Sequence, residues 1–354
     1  MKIAVLGDTH FGVRNDNGAF HDYFERFYEG VFFPYLKENN ISHIIQLGDL
    51  FDRRKYINFY TLKRARDYFF DKIVENNMKM DVFVGNHDTY FKNTNEVNSP
   101  ELLLDDYRDN ITVYSEPTDL VFDGLKVTLL PWVCTENYQR CIEHINKTDA
   151  QILFGHLELA GFEMYRGVVS SHGMETNIFD KFDMVMSGHY HHKSSRSNIY
   201  YLGTPYEMTW SDYDDQKGFH IFDTETRELT FVQNPHTMFS KILYDDVDKG
   251  MDEVLLLDAD QYKNMYVKLI IRNKENPYWF DMFVDKLEKS GVIDLQVLDD
   301  HLNLNLEDDE DIVNEAEDTL TILSKVVSQM DTNVDKKSLD LFLRNLYTEA
   351  LSVG

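Results

Sequence analysis

The run Ile44-Ile45-Gln46-Leu47-Gly48-Asp49-Leu50-Phe51-Asp52 joins a short, mostly apolar stretch to a Gly-Asp turn and a second carboxylate. Short apolar runs rich in β-branched residues read as buried strands. Four more stretches are built the same way. Ile3 to Leu6 leads to Asp8-Thr9-His10, Val82 to Val84 to Gly85-Asn86-His87-Asp88, Ile152 to Phe154 to Gly155-His156, and Met184 to Met186 to Gly188-His189-Tyr190-His191. Any one such pair also makes an ordinary turn, because Gly supplies permissive dihedrals and Asp caps. Five in succession put their polar groups just beyond the carboxyl ends of strands, where ligands gather in an open α/β sheet.

Asp, Asn and His bind hard or borderline divalent cations, and five such clusters supply ligands for two ions. Asp49, central in chain order, is the natural bridging carboxylate. Asp8, His10 and His191 then complete one site, and Asn86, His156 and His189 the other. On extended backbone His189 and His191 face the same side, and a local turn there would still allow both to bind. Two closely spaced cations can neutralise the charge that develops on a transferring phosphoryl group. Nitrogen and oxygen ligands without thiolate favour Mn²⁺, with Mg²⁺ or another transition metal as alternatives. His87, next to a ligand but outside the set, is the candidate proton donor to the leaving oxygen. Asp52 is the candidate to orient it, with Asp88 the alternative, and Arg53 is a candidate phosphate clamp.

Around the motifs, Ala19 to Glu38 and Phe59 to Asn76 carry apolar residues at helical spacing and read as crossover helices of a β-α-β-α-β start. From Ile111 onward short strands and hairpin turns follow, Asp123-Gly124 among them, giving a second sheet and a four-layer α-β-β-α sandwich. Past Asn234-Pro235 the pattern becomes a compact β-α-β unit: Tyr266 to Ile271, Pro277 to Ser290 and Val292 to Leu298. Then comes the acidic run Glu307-Asp308-Asp309-Glu310-Asp311. The last apolar stripes contain Leu320, Leu323 and Val327, then Leu339, Phe342 and Leu346, and read as a helical hairpin. Two short amphipathic helices bury little surface alone, so they suit a docking handle for a partner, with docking back on their own domain the alternative. The expected domains are 1–235, 236–300 and 311–354, with 301–310 an acidic linker.

With 43% hydrophobic residues, 24 Phe and 21 Tyr in 354 positions, the chain is globular. No apolar stretch reaches the roughly 20 residues that span a bilayer. Cys134 and Cys141 are in no metal-binding spacing, so buried thiols in a reducing cytoplasm are expected. A formal charge of −27, from 62 acidic and 35 basic residues, argues against nonspecific adhesion to nucleic acid. Arg53, Arg54, Lys55, Lys63, Arg64 and Arg66 nevertheless cluster after the second motif. They read equally as a phosphate-backbone contact or as a solvated helix face.

The series Asp8-x-His10, Gly48-Asp49-x-Phe51-Asp52, Gly85-Asn86-His87-Asp88, Gly155-His156 and Gly188-His189-x-His191 resembles the calcineurin-like metallophosphoesterases, and within them the SbcD-type and meiotic-recombination (Mre) DNA repair nucleases. Pro131-Trp132 and Gly203-Thr204-Pro205 resemble the tailed-phage branch, and cytoplasm would then mean the host's. The resemblance covers residues 1 to 235. It implies a manganese-dependent nuclease acting on double-stranded ends and on single-stranded DNA in recombination and double-strand-break repair. It also implies a small capping domain, C-terminal helices that bind an SbcC-type ABC ATPase, and a homodimer within a 2:2 complex, with Ala19 to Glu38 the candidate dimer helix. Asp52 stands where some relatives carry His. Two other readings remain: a protein phosphatase or cyclic-nucleotide phosphodiesterase, and a non-catalytic DNA clamp. Arg54 after Asp52-Arg53, where protein phosphatases of this superfamily have Gly, counts against the first. The complete ligand set counts against the second.

Overall fold

The computed structural model describes residues 1–165, 167–170 and 172–299, together with Val327, Lys336 and Leu339. Two six-stranded sheets dominate it. The first runs Leu229–Gln233, Gly218–Asp223, Lys2–Leu6, His43–Gln46, Lys79–Phe83 and Ile111–Tyr114. Its last four strands are parallel, as the crossover helices require, and Gly218–Asp223 pairs antiparallel to Lys2–Leu6, so the sheet is mixed. The second runs Ser194–Arg196, Ile199–Tyr201, Met184–Gly188, Ile152–His156, Leu125–Leu130 and Thr118–Phe122, with a parallel centre and an antiparallel hairpin at each edge.

Strand alternation explains the layering. Ile3, Val5, Ile45, Leu47 and Phe83 point from one sheet into a core they share with Val127, Leu129, Ile152, Phe154 and Met186 of the other. Opposite-facing residues such as Ala4, Leu6, Ile44 and Val82 pack on Phe20, Phe24, Phe27 and Tyr68. On the far side, Leu153 and Val185 pack on Cys141 and Ile145 of the helix Tyr138–Lys147. Both cysteines are free and buried, and burial pushes the Cys141 thiol up to about 12.

The two long crossover helices each contain a wider turn, at Tyr28–Phe32 and Arg66–Phe70. These turns meet one another: the Tyr28 ring lies 5.7 Å from Tyr68 and 4.7 Å from Phe69. Packing so many rings into one layer is accommodated by a local expansion of the helix. Phe20, Tyr23, Phe24, Phe27 and Tyr28 of the Ala19 to Glu38 segment, the expected dimer helix, are fully buried in the chain's own core, which leaves its polar face and the half-buried Val31 and Tyr35 for contact with a second copy.

A third, parallel sheet contains Phe239–Asp245, Tyr266–Asn273 and Asp294–Asp299 with the helix Pro277–Lys289. The first of these strands was not foreseen from the sequence. This unit has its own apolar cluster around Leu269, Phe280, Phe283 and Leu287. The buried Glu207 carboxylate, which accepts the backbone N–H groups of Met238 and Phe239, anchors its entry strand. Of the expected C-terminal stripes, Val327 and Leu339 are helical and Val327 is buried. Leu320, Leu323, Phe342 and Leu346 lie outside the described residues, as does the acidic run. No described helix is long and apolar enough to cross a membrane.

Candidate metal centre

All five motifs converge at the carboxyl ends of the parallel strands, and a small number of hydrogen bonds draw them together. The N–H groups of Thr9 and His10 donate to the Asp49 carbonyl at 3.1 and 3.0 Å. Gln46, a polar residue inside an apolar strand, closes the Gly48 turn: its amide donates to the Gly48 carbonyl at 2.7 Å and its oxygen accepts the Gly48 N–H at 2.9 Å. The Asp88 carboxylate accepts the N–H groups of Leu50, Phe51 and Gly85, stapling the second loop to the third. Asp88 therefore has a scaffold role and does not orient His87.

Glycine spacing acts here through clearance. A Cβ at Gly85 would collide with the Asp49 backbone and carboxylate, and one at Gly188 would strike the Asp8 carboxylate. His10, Asp49 and His189 have φ of 42°, 51° and 83°, left-handed conformations that non-glycine residues adopt at a cost of order 1–3 kcal/mol each. For His189 this replaces the extended backbone read from the sequence, and it turns the ring toward Asn86.

Three overlapping groups of ligand atoms result: Asp8, His10 and His191; Asp49, His156 and His189; and His10, Asp52 and His87. In the first, the Nε2 atoms of His10 and His191 stand 3.2 Å apart. In the second, Asn86 Oδ1 lies 2.9 Å from both His156 Nε2 and His189 Nδ1, and Asp49 Oδ2 lies 3.2 Å from His156 Nε2. Asp49 also reaches toward the first group, 3.7 Å from His10 Nε2. The His156 Nδ1–H donates to the Leu47 carbonyl at 2.8 Å, which presents Nε2 to the centre.

Residues so arranged fit a pair of cations. Asp8 Oδ1 and His191 Nδ1 are buried with no hydrogen-bond partner among the described residues. Two imidazole nitrogens, of His10 and His191, face one another, and two carboxylates are buried where bare charge is costly. Burial raises Asp8 to about 7. Burial alone would lower His10, but Asp52, Asp49 and Asp8 outweigh it and raise it to about 9. His156 likewise rises to about 9, because Asp49 and Asp8 overcome its burial. Protons on these rings balance the buried carboxylates, and a cation must displace them. Since the raised pKa keeps both rings protonated until pH nears 9, cation affinity should climb as pH rises from 6 to 9, by up to about tenfold per unit for each proton displaced. Competition with a chelating dye across that range measures it; a flat profile would contradict the assignment of His10 and His156 as ligands.

Two expectations are corrected. Asp52 holds His87 through its backbone: the His87 Nδ1–H donates to the Asp52 carbonyl at 2.7 Å, while the Asp52 carboxylate lies 3.3 Å from His10 Nδ1. Arg53 is engaged elsewhere, donating to Asp16 Oδ2 at 2.9 Å and Asn15 Oδ1 at 2.7 Å. Its neighbour Arg54 faces the Asp49 and Asp88 charges, with one guanidinium nitrogen buried and unpartnered among the described residues. Lys55 is exposed, and Lys63, Arg64 and Arg66 are paired with Asp67, with Asp22 and Glu25, and with Asp106.

The sequence did not disclose two supporting features. Trp132 lies beside the second group, its ring 5.2 Å from His189. Lys217, 4% exposed, donates to the His191 carbonyl at 2.9 Å and pairs with Asp212 at 2.7 Å and Asp215 at 2.9 Å, fixing the last ligand loop from behind. Residues so far apart in the chain leave no local signal.

The sequence profile of the calcineurin-like phosphoesterases matches residues 1–193. Exonuclease subunit 1 of Enterobacteria phage T4 is 33% identical, over 99% of both chains. The SbcD polypeptide of nuclease SbcCD from Staphylococcus epidermidis is 24% identical, over 80% of this chain and 79% of that one. Its counterpart from Staphylococcus saprophyticus is 23% identical, over 80% and 78%.

Proposed function

The chain belongs to the calcineurin-like phosphoesterase family, and from that premise we propose that it is the nuclease subunit of a DNA recombination and repair complex, hydrolysing phosphodiester bonds at a dinuclear centre. The observation that carries this reading is the meeting of Asp8, His10, Asp49, Asn86, His156, His189 and His191 in one buried cluster, in a chain that aligns from end to end with a phage exonuclease subunit. Asp8, His10 and His191 would hold one cation and Asn86, His156 and His189 the other, with Asp49 shared; Mn²⁺ suits the nitrogen-rich set. Two such ions, when bound, supply Lewis acidity that activates water and neutralises phosphoryl charge.

This chain's own groups do the rest. His87 is held by two bonds: its N–H donates to Asp49 Oδ1 and its Nδ1–H to the Asp52 carbonyl, both at 2.7 Å. Its Nε2 is left to exchange a proton with the departing oxygen; as an acid the ring must be the imidazolium, which burial disfavours by lowering its pKa against the opposing charges of Asp49 and Asp52. Asp52 orients His10, and Arg54, turned toward the centre, replaces Arg53 as the phosphate contact.

The deciding experiment offers end-labelled duplex and single-stranded DNA, a phosphopeptide and a cyclic nucleotide with Mn²⁺ or Mg²⁺. DNA cleavage well above the other two is expected; preferential phosphopeptide or cyclic-nucleotide hydrolysis would replace this reading, and no turnover of any substrate would favour a binding subunit.

We take 236–300 as a capping domain and 311–354 as the segment that binds an SbcC-type ABC ATPase. With a charge of −27, the isolated chain is poorly equipped to hold DNA alone, which fits a subunit that relies on its partner for affinity. Deleting residues 311–354 is expected to abolish co-purification with that ATPase while leaving Mn²⁺-dependent cleavage of simple substrates; retained co-purification would refute the handle. For the homodimer, an exposed apolar surface lies near the start of the helix Phe59–Ala65, where Phe59 is 89% and Leu102 68% exposed beside Tyr56 and Val97. Phe59→Glu with Leu102→Glu is expected to give a monomer in light scattering, and an unchanged dimer would move the interface elsewhere.

A further inference from the structure

We propose that the edge of the sandwich formed by its two terminal hairpins holds a second site that takes a nucleoside monophosphate. Where the edge hairpin Ser194–Arg196/Ile199–Tyr201 of one sheet meets the edge hairpin Gly218–Asp223/Leu229–Gln233 of the other, there is a cavity of about 470 Å³. Lys193, Ser194 and His220 line it, with Leu202, Leu229 and Phe231 as apolar walls.

Two of its buried polar groups are unsatisfied. His220 is 95% buried, and neither its Nδ1 nor the buried Ser194 Oγ has a hydrogen-bond partner among the described residues. The Lys193 ammonium rests 3.2 Å from the centre of the Phe231 ring and pairs with no carboxylate among the described residues. Buried polar atoms are nearly always satisfied, and two unmet buried groups beside an ammonium without a carboxylate partner, all lining one apolar-walled cavity, are the pattern of a small-ligand site. An ammonium, a hydroxyl and an imidazole suit a phosphomonoester, which has more acceptor positions than a carboxylate and answers the positive charge. The apolar walls and the volume accommodate a small ring system attached to it. The choice of a nucleotide, the product that trimming of a DNA strand releases, rests on the nuclease reading above; the anion site itself rests on the geometry.

The test is calorimetric titration of the full chain in excess chelator with thymidine monophosphate, thymidine and inorganic phosphate, so that binding is read independently of cleavage. Thymidine monophosphate should bind at least roughly tenfold more tightly than either fragment. Lys193→Gln should weaken it by a similar factor and Ser194→Ala severalfold, while Lys193→Arg should keep most of the affinity. Equal affinity for thymidine, or binding unaltered by both Lys193→Gln and Ser194→Ala, would overturn the site. Equal affinity for inorganic phosphate would overturn the nucleotide assignment. Because no cation or turnover is involved, a failure here leaves the nuclease reading standing, and a failure of the DNA assay leaves this titration interpretable.

Discussion

Asp49→Asn is expected to leave a folded protein that retains at most one cation and has lost DNA cleavage. The carboxylate is 1% exposed and spans both ligand groups, 3.2 Å from His156 Nε2 and 3.7 Å from His10 Nε2, while its other oxygen accepts the His87 N–H at 2.7 Å. Burial alone would raise its pKa, yet His156, His87 and His10 together hold it well below the ordinary carboxylate range. An amide keeps one acceptor and turns a donor toward the positive side, so the shared anion is lost. Loss of an outer-shell partner alone costs about 10–100-fold in metal affinity or activity, and removal of a group common to both ions should exceed that. Cation stoichiometry by mass spectrometry and anomalous scattering, with the melting curve as a folding control, measures it. Two fully occupied sites in the variant would refute the bridging role.

His87→Asn is expected to separate binding from turnover: both cations retained, cleavage lowered by roughly 10²–10⁴-fold, the range of a lost general acid. The ring belongs to neither of the two proposed ligand sets, stands edge-on to His10 at 4.8 Å, and is aimed by the Asp52 carbonyl. Asparagine can still donate toward that carbonyl but has no group that gives up a proton near neutral pH. Wild-type cleavage by the variant would remove His87 from the mechanism; lost cation binding would make it a ligand.

Much of this centre was legible before folding was considered. Seven polar side chains, each two to five residues past a short apolar run, could be assigned to a common site because strands in a parallel sheet end on the same side. The helices at 59–75 and 277–289 followed from periodicity, since one buried face imposes a 3.6-residue repeat. Less legible were the roles set by a backbone atom. Asp52 was read as a carboxylate for His87, whereas its carbonyl meets that ring and its carboxylate meets His10. Nor could residue type separate Arg53 from Arg54, because the loop conformation pairs the first with Asp16 and leaves one guanidinium nitrogen of the second buried without a partner among the described residues.

By itself, then, the order of residues determined the five strands that carry cation-binding groups at their ends, and that those groups suffice for two ions, because apolar patterning and ligand chemistry are local properties. Tertiary structure alone decided that Gly85 and Gly188 are needed for clearance, that Lys217 secures His191 from behind, and that the aromatic residues of the Ala19 to Glu38 segment are buried in the chain's own core. Those outcomes depend on distances between segments far apart in the chain, which exist only once the sheets have packed.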